Sequence, residues 1–254
     1  SGSNSLTFNY EVQAGDNAAD LDYTTSNALG LNEGSILDSH GNTANLTLAN
    51  PGDPNSLGDN AAIVIDTTAP TVLQVDSTTA AGAYRAGEVI SIVVTFSENV
   101  SIAGTTTLSL ETGTTDQLAS YDSGANTNKF VYSYTVQAGD TTADLSYTAT
   151  NALAVTGIMR DLAGNMANLA LPAPGAADSL SDNEAIVIDT TAPTVTGVTS
   201  NKADGTYAAG ESITIQVNLS ETVTFSGTPT LELETGSSDA TISYTSGSGS
   251  NQLN

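Results

Sequence analysis

The sequence predicts an all-β chain of tandem Ig-like Greek-key β-sandwich domains with almost no helix, and three observations predict it. Short segments such as Val89-Ile-Ser-Ile-Val-Val-Thr-Phe96 and Phe130-Val-Tyr-Ser-Tyr-Thr-Val136 alternate apolar and polar residues and are bounded by Gly, Asn, Asp or Pro, which is how half-buried strands read. No stretch sustains the 3.6-residue apolar period of an amphipathic helix. The chain also repeats itself with a period of 123 or 124 residues. Ile63-Val-Ile-Asp66-Thr-Thr-Ala-Pro70-Thr-Val72 returns as Ile186-Val-Ile-Asp189-Thr-Thr-Ala-Pro193-Thr-Val195, and Val12-Gln-Ala-Gly-Asp16 as Val136-Gln-Ala-Gly-Asp140. Self-similarity at that period marks one folded unit copied end to end. The Trp and Cys landmarks of antibody domains are missing, so the likeness to that fold is architectural only.

One complete unit covers 71–193. Its strands are expected at 71–77, 89–96, 100–103, 106–112, 118–121, 129–137, 145–149 with an extension to 155, and 184–189. Each is β-branched or aromatic and ends at a turn signal. Residues 190–193, Thr-Thr-Ala-Pro, form the linker. Proline there fixes φ and removes a donor, which ends the last strand and stiffens the joint. Residues 1–70 match the C-terminal half of a unit and 194–254 the N-terminal half, so a complete repeat is flanked by two complementary halves. A half sandwich exposes a sheet edge and half a core. Two accounts fit: a window cut from a longer array, or a subunit whose tail half completes the head half of the next in a head-to-tail filament. The absence of an initiator Met and of a leader is expected of a mature or excised piece.

Composition narrows the function. The 254 residues carry 28 Asp and Glu against four basic residues, Arg85, Lys129, Arg160 and Lys202, for a net charge of −24. Nucleic acid is excluded as a natural partner, because phosphate contact needs clustered cations, and anionic membranes are disfavoured for the same reason. No apolar run reaches the length of about 20 residues that spans a bilayer. Cysteine is absent, so disulfides and thiolate metal sites are absent too. The Thr, Ser, Gly and Asn content suits an extracellular location. Self-repulsion on this scale opposes a compact state, and divalent cations relieve it, since hard cations bind carboxylate and carbonyl oxygens.

The recurring acids fall at the two poles of the sandwich. The loops after 71–77 and after 129–137 lie where the last strand leaves the domain. That trailing pole collects Glu88, Asp140, Asp144 and Asp189, with copies Glu211, Asp16, Asp20 and Asp66. The loops after 89–96 and before 184–189 lie at the leading pole, which collects Glu98, Asp161 and Asn165, with copies Glu221, Asp38 and Asn42. Across a four-residue linker the trailing acids of one domain face the leading acids of the next. Ca²⁺ takes about six to eight oxygens in flexible geometry, whereas Mg²⁺ keeps its waters and demands a tight octahedron. Ca²⁺ at each junction is therefore the expected cofactor. Plain structural duties compete residue by residue: Asp189 can cap a turn, Asp161-Leu-Ala-Gly-Asn165 can form an Asx turn with glycine at positive φ, and Glu88 and Glu98 can be solvated loop charges.

The geometry resembles cadherins, in which Ca²⁺ clamps consecutive sandwiches. The residues resemble the repeats of large bacterial surface adhesins, including biofilm-associated and RTX-type ones, through Tyr-x-x-Gly-Glu88, Phe96-Ser-Glu98-x-Val, Ala-Gly-Asp140, Asp161-x-x-Gly-Asn165-x-Ala and Val-Ile-Asp189-Thr-Thr-Ala-Pro. The resemblance covers essentially the whole chain. It implies an extracellular stalk or extender in adhesion or biofilm, rigid with Ca²⁺ bound, whose partners are neighbouring repeats or identical subunits. Leu219-Ser-Glu221 departs from Phe-Ser-Glu without removing a proposed ligand.

Catalysis is not expected. His40 is the single histidine and occurs in the first copy only. No zinc-protease helix motif, phosphate-cradling glycine loop or nucleophile elbow is present, and the carboxylate pairs recur in every copy. A sugar-binding module built on Tyr84, Tyr121, Tyr132, Tyr134 and Tyr147 is the rival reading. Several of these tyrosines recur, as Tyr10, Tyr23 and Tyr244, which suits core or corner packing. The Thr-rich faces are too irregular for an ice- or crystal-binding surface.

Overall fold

Strands dominate residues 3–254, the part described by the structure, a computed structural model. By contact density the chain divides in two, one unit running to Asp189 and the other from Thr190 to Asn254. In chain order the first unit contains α1 (Leu57–Asn60), β1 (Val72–Ser77), β2 (Gly82–Tyr84), β3 (Val89–Glu111), β4 (Gln117–Ser123), β5 (Thr127–Thr135), β6 (Thr141–Thr142), β7 (Ser146–Tyr147), β8 (Leu153–Arg160), α2 (Leu180–Asn183) and β9 (Ile186–Asp189). The second holds β10 (Val195–Ser200), β11 (Ile215–Val223), β12 (Thr230–Leu233), β13 (Ala240–Ser243) and β14 (Ser250–Leu253).

The all-β expectation holds. The complete repeat is organised by β3, a 23-residue strand that replaces the three separate strands expected at 89–96, 100–103 and 106–112. Its first part pairs antiparallel with β1 and β5, and its second part with β8, β4 and β7. One strand thus pairs with five others in a single six-stranded sheet, and the register break between Thr95 and Val100 is a local irregularity of the kind that bends a strand without ending it. Alternation places Ile90, Ile92, Val94, Leu108 and Leu110 inward, where they meet Phe130, Tyr132, Tyr134, Tyr147, Leu145, Leu180, Ile186 and Ile188 in one buried cluster. Full burial of such side chains contributes about 1.5–3 kcal/mol each relative to exposure. Phe96 and Phe130 meet edge-on with centroids 5.5 Å apart.

Other departures from expectation are local. The segment expected at 145–155 splits into β7 and β8, and β8 runs eight rungs along β3. Gly104 and Gly157 face one another on that ladder at φ of 130° and 123°. A Cβ on Gly104 would lie 1.9 Å from the Thr156 carbonyl oxygen, so only glycine fits. The loop after β1 carries β2, which pairs parallel with β9, while β6 pairs antiparallel with β9 on its other side. The helical turns at α1 and α2 lie in Pro-, Gly- and Asp-rich stretches that read as loop. α2 is held down by buried Leu180 and by the Asn183 amide, which donates to the Val75 carbonyl at 2.8 Å.

Residues 3–70 repeat the second half of the domain in sequence, yet among the described residues they form no strand ladder, only the isolated bridges Ala18↔Ile65 and Leu37↔Thr43. Their counterparts of β5 have no neighbouring strand, and an unpartnered strand is not stable by itself. The second unit retains the frame of the first half: β10 and β14 flank β11 as β1 and β5 flank β3.

Candidate metal centre

The register break in β3 sets the centre. Between buried Phe96 and buried Val100 the chain projects Glu98 at the leading pole of the complete repeat. The loop after β8 supplies Asp161, which is buried. Its Oδ1 accepts from the amides of Gly164 at 2.6 Å and Asn165 at 2.8 Å, and its Oδ2 from Asn165 Nδ2 at 2.7 Å. This is the Asx turn anticipated as the alternative to ligation, and it leaves Asp161 facing Glu98. The linker supplies Asp66, whose Oδ1 accepts from the Thr68 amide at 2.9 Å. Carboxylate oxygens of Asp66, Glu98 and Asp161 all lie within 4.8 Å of one another.

The linker is fastened on both sides. Toward the first copy, Thr67 N and Thr68 Oγ1 donate to Asn17 Oδ1 at 3.1 and 3.2 Å, and Gly15 N donates to Thr67 Oγ1 at 3.0 Å. Toward the complete repeat, Asn165 Nδ2 donates to the Asp66 carbonyl at 3.1 Å, Asn168 N to the Pro70 carbonyl at 2.8 Å, and Thr71 N to Ser97 Oγ at 3.0 Å. Asn165, expected as a ligand, thus ties loop to linker through its amide nitrogen. Asn17 and Ser97 were not singled out from sequence. Ser97 carried a usable signal, since Ser220 repeats it and accepts from Thr194 N at 2.9 Å. Asn17 carried none, because Thr141 stands in its place in the next copy.

Electrostatics at the centre are unfavourable without a cation. Among the described residues no lysine or arginine lies within ion-pair distance of the three acids, and Lys202–Glu211 at 3.9 Å is an ion pair of the other unit. Desolvation pushes the Glu98 carboxyl above the ordinary glutamate range, and the nearby Asp66 and Asp161 charges push it further the same way. Two or more like charges held together are the condition under which a divalent cation binds to relieve repulsion. The donors are all oxygens, which suits Ca²⁺, Mg²⁺ or Mn²⁺ and not thiophilic metals.

The remaining candidates are dispersed. Asp16 and Asp140 hold their own turns, each accepting from a tyrosine hydroxyl (Tyr10 and Tyr134) and a glutamine amide (Gln13 and Gln137). Asp140 also accepts from Gln117 Nε2 at 3.1 Å. The Tyr10 hydroxyl and the Gln13 amide hold the Asp16 carboxyl below the ordinary range. Asp20 lies against Gly58 of α1 beside Asp22. Asp22 went unnoticed because Ser146 replaces it in the second copy. Partial burial raises the Asp22 carboxyl, but the amides of Gly52, Tyr23 and Gly58 and the Ser56 hydroxyl outweigh that and hold it low. Asp144 is exposed. Glu88 caps its turn at the Arg85 amide, 2.8 Å away, as Glu211 does at the Ala208 amide. Glu88, Arg85 and Asp189 line one shallow hollow at the trailing pole. Asp38 and Asn42 build the same Asx turn as Asp161 and Asn165, with Asn42 Nδ2 donating to Asp38 Oδ2 at 2.7 Å. Glu221 sits at the matching register break of β11 and β14, between Asn218 and Val223.

Of the five tyrosines considered for a sugar platform, Tyr132, Tyr134 and Tyr147 are buried. The Tyr147 hydroxyl donates to the Pro172 carbonyl at 2.6 Å, as Tyr23 does to Ala49 at 2.8 Å. Among the described residues no helix is long and apolar enough to cross a membrane. Comparison with family models, with curated proteins and with solved structures finds no match to the chain.

Proposed function

We propose that the chain is a structural stretch of tandem repeats from an extracellular bacterial adhesin or surface filament, stiffened by Ca²⁺ at the junctions between repeats. The observation that carries this reading is the meeting of Asp66, Glu98 and Asp161 within 4.8 Å. These residues come from a linker, a strand irregularity and a loop that belong to two successive copies. A cation held there would bridge the copies. It would relieve the Asp66 and Asp161 repulsion that adds to desolvation in raising Glu98, and restrain bending at a linker already hydrogen-bonded on both sides. Asp66, Glu98 and Asp161 would supply the charged oxygens, with the Asp66 carbonyl and water as neutral donors nearby. The unmatched charge of −24 and the absence of a tuned acid, base or nucleophile favour a mechanical over a catalytic role. The adhesin-repeat likeness of the motifs supports an extracellular location.

Calorimetric titration tests the reading. The 254-residue chain, stripped with chelator, is expected to bind Ca²⁺ with a dissociation constant of about 10⁻⁴–10⁻³ M or tighter, as extracellular modules do. Mg²⁺ is expected to bind more weakly, and Asp161→Ala should abolish the strongest site. Absence of Ca²⁺ heat at about 10 mM would overturn it.

A further inference from the structure

A hollow of about 460 Å³ opens at the leading pole of the complete repeat, beside the acid triad. That volume lies within the range of about 300–1,000 Å³ typical of sites for small ligands. Three elements wall it. The register break in β3 contributes Asn99 and Ser101, the turn between β4 and β5 contributes Asn126, and the end of β8 contributes Arg160, with Leu162 just beyond. Hydrogen bonds fasten these walls to one another. The Asn126 amide donates to the Val100 carbonyl at 2.8 Å, and Ser101 Oγ donates to the Arg160 carbonyl at 2.9 Å. Asn126 holds a left-handed φ of 64°, which asparagine adopts more readily than most residues, so the turn is fixed where it meets β3.

The polar groups around this hollow are uncommitted. Among the described residues, the Arg160 guanidinium and the Asn99 and Asn126 carboxamides have no hydrogen-bond or ion-pair partner. An arginine in a chain with 28 Asp and Glu has many carboxylates to choose from, yet Arg160 takes none. The acid that lines the same hollow, Asp161, is buried, and Gly164 and Asn165 hold both of its oxygens. Nor does building a repeat require these groups. Where the complete repeat has Asn99, Asn126, Arg160 and Leu162, the other copies have Thr222, Gly249, Leu37 and Ser39. The frame of the pole is duplicated, but the polar lining of the hollow is not.

We infer that this hollow binds a carboxylated sugar, a uronic acid unit of a polysaccharide. The guanidinium presents a planar fork that matches a carboxylate through two parallel bonds. Asn99 and Asn126 each offer a donor and an acceptor, which suits hydroxyls, since these are both at once. Leu162, fully exposed at the rim, gives the C–H face of a ring an apolar ledge. An acidic peptide fits less well, because extended peptides bind by adding a strand to an open sheet edge. At this end β8 has no open edge. One side lies on β3, and on the other the Ala167 amide donates to the Met159 carbonyl at 3.0 Å and the Asp161 amide to the Asn165 carbonyl at 3.1 Å. The hollow therefore takes a compact ligand. It is built by the complete repeat alone and needs no cation on the triad.

Methyl glucuronide and methyl glucoside differ only in a carboxylate against a hydroxymethyl group, so the pair isolates the Arg160 contact. Each is titrated into the full chain in chelator and followed by amide NMR. The glucuronide should shift Ser101, Asn126 and Gly164 at millimolar concentration. It should bind about tenfold tighter than the glucoside or better, the scale of one charge-assisted hydrogen bond. Arg160→Met should lose that advantage, and Asn126→Gly, the change that matches Gly249, should weaken binding several-fold, both with the melting temperature unchanged. Arg85→Met, at the trailing pole, should bind as the parent does. Equal binding of the glucoside, tighter binding of a tetraglutamate peptide, full affinity in Arg160→Met, an equal loss in Arg85→Met, or no saturable shift would overturn the inference.

Discussion

Replacing Glu98 by Gln should change the stability of the first unit in opposite directions with and without Ca²⁺. Glu98 faces two carboxylates, Asp66 and Asp161, with oxygens no more than 4.8 Å apart. Glu98 is half-buried; even in a water-like dielectric, the lower bound, each like-charge pair costs about 1 kcal/mol. Neutralising Glu98 removes both pairs, so in chelator the variant should gain about 1–2 kcal/mol. For a unit of this size that is a rise in melting temperature of about 2–8 °C. With Ca²⁺ at about 100 times its dissociation constant the parent gains about 2.7 kcal/mol by mass action. The variant, short of one charged ligand, should gain much less, and the order of the two melting temperatures should reverse. Scanning calorimetry in chelator and in millimolar Ca²⁺ checks both halves. A variant that melts at or below the parent in chelator, with no reversal on adding Ca²⁺, would refute the electrostatic argument.

Three further outcomes are expected. Gly104→Ala places a methyl group 1.9 Å from the Thr156 carbonyl oxygen at a φ of 130°; denaturant unfolding should show a loss of about 2 kcal/mol or more. Leu180→Ala in the buried core should cost about 2–5 kcal/mol, whereas Leu57→Ala, the same change in the uncovered first half, should cost under about 1 kcal/mol in dilute monomer; equal losses would show that both halves are packed alike. Burial pushes the phenols of Tyr132 and Tyr147 up to about 12. The fold therefore holds these protons better than the unfolded chain does, so their stabilisation is complete below pH 10 and is lost as pH rises from about 10 toward 12. Phenolate absorbance should rise together with unfolding in that window.

The sandwich was legible because its signal is local and duplicated. Val89 to Phe96 alternates, and Phe130 to Val136 does so again, so the long strands were read, whereas the short β2 and β6, which pair with β9 inside segments expected as loops, were not. What could not be read was continuity. Nothing in Ser97-Glu98-Asn99 announces that the chain bends and stays paired, so β3 was expected as three pieces. The helical turn at Leu180 depends on a leucine and an Asn183 amide reaching β1, a strand about 100 residues earlier in the chain, which no local pattern encodes. At the candidate metal centre, repetition identified Asp66, Glu98 and Asp161 as acids of facing loops, and that much was legible. Repetition also flagged Asp16 and Asp140, whose carboxylates are committed to tyrosine hydroxyls. A recurring acid and a recurring ligand look identical in a string of letters.

The parallel pairing of β2 with β9 bears on how a repeat responds to pulling. Tension drawn through Pro70 and Asp189 tugs β2 toward its start and β9 toward its finish. In parallel neighbours those directions are opposed along a common axis. The rungs from Gly82↔Ile186 to Tyr84↔Ile188 are thus sheared together instead of being peeled one after another, so each repeat should yield abruptly at high force and hold its length until then.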